Sequence, residues 1–220
     1  MKTLGKMVVA FGLVGLMSAP AMAQGRGGYG GGGFGGAGML LSNKGVQQEL
    51  KVSDEQAKKL DTLAEETRST QRENMAKLKD ATKDERQEKL RTLGAETQTE
   101  IHKSLTEFLK PEQVKRFHQI QTQAAGVMAF STPRVQKALN LTDDQKTKIR
   151  EINEETMQAG REAHTSAGDD REAAGKKMAE LRKDALGKVK ALLTDDQKSS
   201  YGDLIGAPYE ITYERRGNNH

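Results

Sequence analysis

An all-α fold, built from two tandem helical hairpin units, is predicted by three features of the sequence. Aromatic residues make up only 4% of the chain, so the core must be built from Leu, Ile, Val, Met and Ala, which suits helices better than sheets. Apolar residues recur at three- and four-residue spacing, which is typical of amphipathic helices. The motif LTDDQ occurs at Leu141–Gln145 and at Leu193–Gln197, and the looser copies VSDEQ and LKPEQ begin at Val52 and Leu109.

Residues 1–23 are predicted to be a secretory signal peptide. The basic start MKTLGK is followed by the apolar run MVVAFGLVGLM, which is too short to span a bilayer. SAPAMA then supplies the small residues of a cleavage site between Ala23 and Gln24. We therefore expect an exported protein without stable membrane insertion after processing; a retained anchor is the alternative. The chain contains no cysteine, so its fold must rest on packing alone.

Residues 24–38 form a Gly-rich leader that is expected to be disordered. Glycine loses so much backbone entropy on folding that the stretch GRGGYGGGGFGGAG is a poor candidate for a packed domain. A flexible connection between the processing site and the fold is the simplest interpretation. An adhesive or assembly role that uses Tyr29 and Phe34 is the alternative.

Beyond the leader the sequence repeats itself. Residues 39–68, MLLSNKGVQQELKVSDEQAKKLDTLAEETR, align without a gap on residues 128–157, MAFSTPRVQKALNLTDDQKTKIREINEETM. The two halves also end alike, because residues 108–120 match residues 192–204. A duplicated unit is therefore predicted.

The duplication sets the domain boundaries. The first unit is predicted at 39–127 and the second at 128–206, followed by a polar tail at 207–220. Each unit is expected to contain a short helix, two long helices joined by a polar turn, and a capped short final helix.

Each copy of the repeated motif is predicted to start a helix. Ser or Thr followed three residues later by Gln forms a capping box, in which the hydroxyl and the Gln side chain each bond a free backbone N–H. The copy at Leu109 differs, because it has no hydroxyl and instead places proline at the first helical position. The helix-capping residues are Ser53, Gln56, Pro111, Gln113, Thr142, Gln145, Thr194 and Gln197.

Four long helices are predicted, at about 54–80 and 83–108 in the first unit and about 143–165 and 170–192 in the second. Their apolar stripes are thin and are interrupted by threonines and a glutamine. Thin stripes on long helices favour extended or cradle-like hairpins over a thick globule.

The repeated motif resembles the LTxxQ motif of the Spy/CpxP family of periplasmic proteins, and the resemblance covers about residues 46–205. Members of that family carry two motifs per protomer and pair as antiparallel, cradle-like dimers. The resemblance implies a periplasmic, ATP-independent chaperone-like protein or an envelope-stress adaptor. Its partners would be unfolded or partly folded envelope proteins and, for an adaptor, a sensor protein. Some relatives bind metal.

This chain has four motifs instead of two, which leads to the hypothesis of a fused pseudo-dimer. In that hypothesis one chain is a monomer whose first unit packs on its second unit as two protomers would. A homodimer is the alternative.

Five apolar residues are candidates for binding clients under this resemblance. Methionine is flexible and polarizable and suits promiscuous surfaces, although methionine at helical spacing is more often part of a core. Lysines and arginines such as Arg68 and Lys77 would surround the patch and steer acidic clients; the alternative is an ordinary solvated helix face. The candidate residues are Met75, Leu78, Met157, Met178 and Leu181.

The sequence argues against an enzyme, a cofactor site and a nucleic-acid binder. The 35 Lys and Arg residues nearly balance the 31 Asp and Glu residues, whereas nucleic-acid binders show a one-sided basic excess. The chain has no cysteine and no G-x-S-x-G motif, and its four histidines are far apart in sequence. No metal-ligand spacing such as H-x-x-x-H is present, so no metal site is predicted.

Two further functions stay open beside the chaperone-like one. A structural or envelope-interaction protein, tethered by its Gly-rich leader, is the first alternative, and it would lose function when the leader is deleted. A metal-responsive periplasmic sensor is the second, and it would need histidine and carboxylate groups that converge in space.

Overall fold

The structure, a computed structural model, describes residues 35–168 and 170–212. These residues form nine α-helices and one 3-10 helix, and they contain no strand, so the predicted all-α fold is confirmed. The predicted signal peptide, its cleavage site between Ala23 and Gln24, and most of the Gly-rich leader lie outside the described residues.

The first unit contains five helices. They are α1 (Gly35–Leu41), α2 (Lys44–Glu49), α3 (Asp54–Lys77), α4 (Lys83–Phe108) and α5 (Pro111–Ala125). The second unit begins with the 3-10 helix η1 and continues with four α-helices. They are η1 (Gly126–Ser131), α6 (Pro133–Ala138), α7 (Asp143–Ala167), α8 (Arg171–Leu192) and α9 (Asp195–Ile205).

Side-chain caps set the starts of the long helices. Ser53, Thr142 and Thr194 each accept a hydrogen bond from the backbone N–H three residues on, and the glutamine at that position accepts from the N–H of the cap residue. Thr82 and Glu85 form the same box at the start of α4. Because these bonds satisfy donors that a helix N-terminus leaves free, they fix where each helix begins.

The same tight turn leads into α3 and α7. It places Lys51 and Asn140, which are equivalent in the two units, in the left-handed region with φ of 51° and 48°. Asparagine adopts this conformation readily, whereas lysine rarely does. The turn therefore follows from the packing of the unit rather than from the local preference of Lys51.

Each unit has its own hydrophobic core. The first core draws on α1 to α5 and includes the fully buried Phe117 and Ile120. The second draws on η1 and α6 to α9 and includes the fully buried Phe130 and Val189.

The threonines that interrupt the apolar stripes bond their own helices. Thr67, Thr97 and Thr156 donate to the carbonyl four residues earlier, at 2.7, 2.8 and 2.6 Å. Their hydroxyls are thereby satisfied inside or beside the core, which lets a polar residue occupy an inward position.

The two units contact each other through α5, which packs against η1 and α9. The side-chain amide of Gln119 donates to the carbonyl of Asp203 at 3.1 Å. Arg134 of α6 donates to the carbonyl of His118 and to the hydroxyl of Thr122, both on α5. This contact is compatible with a fused pseudo-dimer, which stays a prediction.

The structure differs from the sequence prediction at the end of the leader and adds detail to the tail. The leader was expected to be disordered up to Gly38, but α1 begins at Gly35, because Ala37 and Leu40 are buried in the first core. Residues 207–212 of the predicted polar tail pack back on the first unit. In both cases burial of a few apolar side chains outweighs a polar or glycine-rich local composition.

Among the described residues, no helix combines the length and the apolar character that crossing a membrane requires.

Candidate functional site

The four predicted capping motifs meet in two pairs. In the second unit, Gln145 Nε2 donates to Gln197 Oε1 at 2.7 Å and Gln197 Nε2 donates to Gln145 Oε1 at 3.0 Å. In the first unit, Gln56 and Gln113 exchange the same two bonds at 3.1 and 3.3 Å. We call these reciprocal amide pairs the first clasp (Gln56 and Gln113) and the second clasp (Gln145 and Gln197).

Each clasp also connects the starts of two helices with the C-terminal ends of the two helices that precede them. Gln145 Nε2 donates to the carbonyl of Leu192 at 2.9 Å, and Gln197 Nε2 donates to the carbonyl of Leu139 at 3.1 Å. The glutamines of the first clasp donate in the same way to the carbonyls of Phe108 and Leu50. Since a glutamine amide offers one acceptor oxygen and two N–H donors, each of the four side chains is fully used.

Sequence reasoning identified the capping boxes but missed the clasps. The signal that could have revealed them is the residue at the third helical position. A capping box accepts Glu there as well as Gln, yet all four motifs carry Gln. Only an amide can accept from the cap N–H and also donate to a distant carbonyl. The repeated motif is therefore a structural device that closes each unit, and the client-binding residues must be sought elsewhere.

In the second unit the structure brings three candidate residues to one part of the hairpin. Helices α7 and α8 run antiparallel, with Gly160 of α7 directly under the end of the Met178 side chain of α8. One turn nearer the core on each helix lie Met157 and Leu181, which are therefore at the same level of the hairpin. The side chain of Met157 is 42% exposed, and Met178 and Leu181 are half-buried.

The candidates of the first unit are arranged differently. Met75, near the end of α3, is 47% exposed. Leu78 is only 3% exposed, and its carbonyl accepts a hydrogen bond from Arg86 Nε at 3.2 Å. The side chain of Leu78 is therefore not available to a partner in this conformation.

Exposure of Met75 and Met157 is opposite to the common tendency of methionine at helical spacing to lie in a core. The inward positions of α7 are occupied by Ile149, Asn153 and Gly160, which are buried. Thr156 lies half-buried and bonds the carbonyl of Ile152, and the next residue, Met157, is turned outward. Met157 is thus an apolar side chain outside the second core that leaves 42% of its surface exposed.

Charged residues of both signs lie near the exposed Met157. Glu154 and Arg161 of α7, one turn on either side of Met157, are exposed. Glu155 of α7 and Lys188 of α8 form an exposed ion pair across the hairpin at 3.7 Å. Exposed ion pairs of this kind stabilise a fold only slightly. The main effect of these charges is therefore expected on solubility and on the approach of charged partners.

A pair of histidines that lie far apart in sequence is brought together by α4 and α5. His102 Nδ1 and His118 Nε2 are 2.9 Å apart, and His118 Nδ1 lies 3.3 Å from Gln121 Oε1. Burial, together with the positive charge of Arg134 and the neighbouring His102, lowers the pKa of His118 to about 4. A neutral His118 is therefore favoured at pH 7.

The histidine pair supplies fewer ligands than known zinc sites use. Zinc is held by three or four protein side chains, and this pair provides two imidazole nitrogens. No group of three or more His, Cys, Asp or Glu residues with metal-binding geometry occurs in the described ranges. Sequence reasoning missed this pair, because nothing in the local pattern places α4 beside α5 at that level.

Comparison with protein families gives one partial match. The model of a family described as "Domain of unknown function (DUF4890)" matches residues 123–201, which run from the end of α5 to α9. The matched region thus includes the second clasp and the patch around Met157. Comparison with curated proteins finds no match. Comparison with solved structures also finds none.

Proposed function

We propose that this protein is an ATP-independent, chaperone-like protein of the periplasm that binds unfolded or partly folded proteins. The observation that carries the proposal is the exposed apolar surface on one part of the α7–α8 hairpin, here called the patch, where Met157 is 42% exposed and Met178 and Leu181 are half-buried. Exposed apolar side chains in a chain so rich in charge favour an interaction surface.

The chemistry of the patch suits non-native partners. Methionine side chains are flexible and polarizable, so they adapt to apolar segments of different shape. The mixed charges around the patch keep the protein soluble and favour weak, reversible contacts. Such binding needs no nucleotide, since release follows from the folding of the client itself.

Two sequence features support the place of action. The signal peptide predicted at residues 1–23 supports export, and the resemblance to the Spy/CpxP family supports the periplasm. The same surface would serve an envelope-stress adaptor, which would present a client-sensitive face to a sensor protein.

The test is suppression of aggregation without ATP. A chemically denatured client is diluted into buffer with the mature protein (24–220), and light scattering is recorded. The patch variant combines Met157→Ser, Met178→Ser and Leu181→Ser. We expect the wild type to suppress scattering and the patch variant to lose at least half of that effect, because the apolar contact area has been removed.

A matched control keeps the number of substitutions and the net charge. It combines Arg150→Ser, Gln158→Ser and Glu162→Ser, which change three exposed residues of α7. Circular dichroism must show that both variants are as helical as the wild type. Absence of suppression by the wild type at several-fold excess over three unrelated clients would contradict the proposal. Equal suppression by both variants would contradict the assignment of the patch.

A further inference from the structure

Residues 207–212, here called the strap, connect the end of the second unit to the surface of the first. Their side chains alternate between two environments. Tyr209 and Ile211 are half-buried and pack on the first core, whereas Pro208, Glu210 and Thr212 are exposed. Alternation with a period of two is the pattern of an extended chain lying on a surface.

Side chains of the first unit bond the backbone of the strap. Gln123 Nε2 donates to the carbonyl of Ala207 at 2.9 Å, and Gln123 Oε1 accepts from the N–H of Tyr209 at 2.9 Å. Arg116 Nη1 also donates to the carbonyl of Ala207, at 2.9 Å. At the other end of the strap, Asn43 Nδ2 donates to the carbonyl of Thr212 at 2.8 Å. These four bonds involve no side chain of the strap.

The apolar contact is made by Tyr209 and Ile211. The Tyr209 hydroxyl lies over Gly45, where a Cβ would be only 2.9 Å from the oxygen. The Arg116 guanidinium lies 6.0 Å from the centre of the Tyr209 ring, within the range of a cation–π contact. Arg116 is itself held by Glu49 at 2.7 Å, and its side chain is only 17% exposed. The receiving surface is thus fixed by contacts within the first unit.

The groove that holds the strap is absent from the duplicated pattern. Its lining residues are Asn43, Gly45, Arg116 and Gln123. The positions equivalent to Asn43, Gly45 and Arg116 in the second unit carry Thr132, Arg134 and Ser200, and Gln123 lies beyond the aligned residues 108–120. The residues that build each unit are repeated, such as Gln47 and Gln136, which donate to the carbonyls of Leu41 and Phe130. The groove therefore belongs to the first unit alone and is not a by-product of the repeated fold.

We propose that this groove binds extended segments of non-native polypeptides that carry an aromatic residue followed two positions later by an aliphatic one. The strap occupies the groove in this structure and would compete with such segments. The inference rests on the proposed chaperone-like function. It names a second contact site with a defined ligand chemistry, separate from the patch around Met157.

The contacts explain why such a site would select non-native chains. The hydrogen bonds that Asn43, Arg116 and Gln123 make to the strap involve only its backbone N–H and C=O groups. Such groups are free only in an unfolded or irregular segment, because folded elements use them internally. These backbone bonds do not depend on the side chains of the bound segment, and the two apolar positions, occupied here by Tyr209 and Ile211, add selectivity. Since the strap is tethered, it competes at a high effective concentration, so that only abundant or tightly binding segments displace it.

The test measures peptide binding to the full mature chain (24–220). The probe is a fluorescein-labelled peptide of residues 206–212, GAPYEIT. The strap variant combines Tyr209→Ser and Ile211→Ser, and the matched control is Glu210→Ser at the exposed position between them. By fluorescence anisotropy we expect the strap variant to bind the probe at least tenfold more tightly than the wild type and the control.

Two further arms test the geometry. Adding Gln123→Ala to the strap variant should weaken binding at least tenfold, because two of the backbone bonds are lost. A probe with serine in place of its tyrosine and isoleucine should bind at least tenfold more weakly. If circular dichroism shows that the double strap variant is misfolded, Ile211→Ser alone replaces it. Probe binding to a folded strap variant that is no tighter than to the wild type would overturn the proposal.

The aggregation assay separates this inference from the proposed function. Suppression by the wild type, without probe binding to the strap variant, would leave the chaperone-like function standing and overturn the groove. Probe binding without suppression by any variant would support the groove as a peptide site and remove its proposed role in protecting clients.

Discussion

Gln145 and Gln197 exchange two hydrogen bonds through their side-chain amides, at 2.7 and 3.0 Å, although 52 positions separate them in the sequence. Each amide also accepts from the N–H of the residue that caps its helix. The second clasp therefore joins the starts of α7 and α9 directly. The first clasp joins the starts of α3 and α5 in the same way.

The clasp requires amides, so Gln145→Glu should destabilise the protein. Glutamate keeps the bond to the Thr142 N–H but cannot donate to Leu192 or Gln197, and its charge would face two acceptor oxygens. We expect a loss of about 2–4 kcal/mol in the free energy of unfolding, because up to two half-buried polar groups lose their hydrogen-bond partners. Urea denaturation at pH 7 measures it.

The control for this prediction is the reverse exchange, Glu85→Gln. Glu85 caps α4 through Thr82, and the box lies on an exposed surface. Its exchange should leave the urea midpoint of unfolding nearly unchanged, as expected for an exposed surface position. Equal effects at Gln145 and Glu85 would show that the motif acts only as a cap.

Acidification should destabilise the first unit through His118. Its folded-state pKa of about 4 lies below the ordinary value of 6.5, so the unfolded chain binds the proton more readily. The contribution of the neutral imidazole is complete above about pH 6.5 and is lost as the pH falls towards 4. We expect a loss of about 2–3 kcal/mol between pH 7.5 and 4 from this group, measured by urea denaturation at several pH values.

Two variants check that His118 causes this effect. His118→Gln should flatten the pH dependence in this window. Arg134→Met removes a positive charge that lowers the pKa of His118, so the pKa should rise, as followed by the imidazole proton shifts in NMR spectra. A His118 pKa near 6.5 in the wild type would contradict the packing of the His102–His118 pair.

Gly160 and Met178 should be energetically coupled. A Cβ at Gly160 would collide with the end of the Met178 side chain, which must then move outward. Gly160→Ala alone should be nearly neutral, because the gain of about 1 kcal/mol in helix propensity is offset by this displacement. In the Met178→Ala background the gain should appear, so that a double-mutant cycle gives a coupling of about 0.5–1 kcal/mol.

Gly187 provides the matched control for that cycle. It lies on α8 with open space around its Cβ position. Gly187→Ala should stabilise the protein by about 0.5–1 kcal/mol whether or not Met178 is present. Additive effects of Gly160→Ala and Met178→Ala would mean that the two residues are not in contact.

Gly45→Ala should release the strap. The added Cβ would lie 2.9 Å from the Tyr209 hydroxyl, so the ring must shift away from α2. We expect chymotrypsin to cut after Tyr209 several-fold faster than in the wild type, as followed by mass spectrometry, with little change in the free energy of unfolding. Gly36→Ala in α1, where a Cβ meets no atom within 4 Å, is the control. Unchanged cleavage in Gly45→Ala would indicate that the strap is not held against α2.

The sequence predicts the helices of this protein well because their signals are local. The helix predicted at about 54–80 is observed as Asp54–Lys77, and the one predicted at 83–108 has those bounds. A hydroxyl or a proline at a helix start acts on backbone groups within three residues, and apolar periodicity needs only a few turns to be visible. The ends of helices and the glycine-rich start of α1 were less clear, since burial by distant residues decides them.

The all-α class, the positions of the long helices and the repetition of one capped unit could therefore be predicted from local patterns in the sequence. The packing of the helices, in contrast, sets four features: the pairing of Gln56 with Gln113, the contact of His102 with His118, the exposure of Met157 and the return of Tyr209 to the first unit. Each of these depends on which faces of separate helices meet, and helical periodicity gives the inward face of a helix without naming its partner. Capping is a property of neighbours in the chain, whereas a clasp, a histidine pair and a groove are properties of neighbours in space.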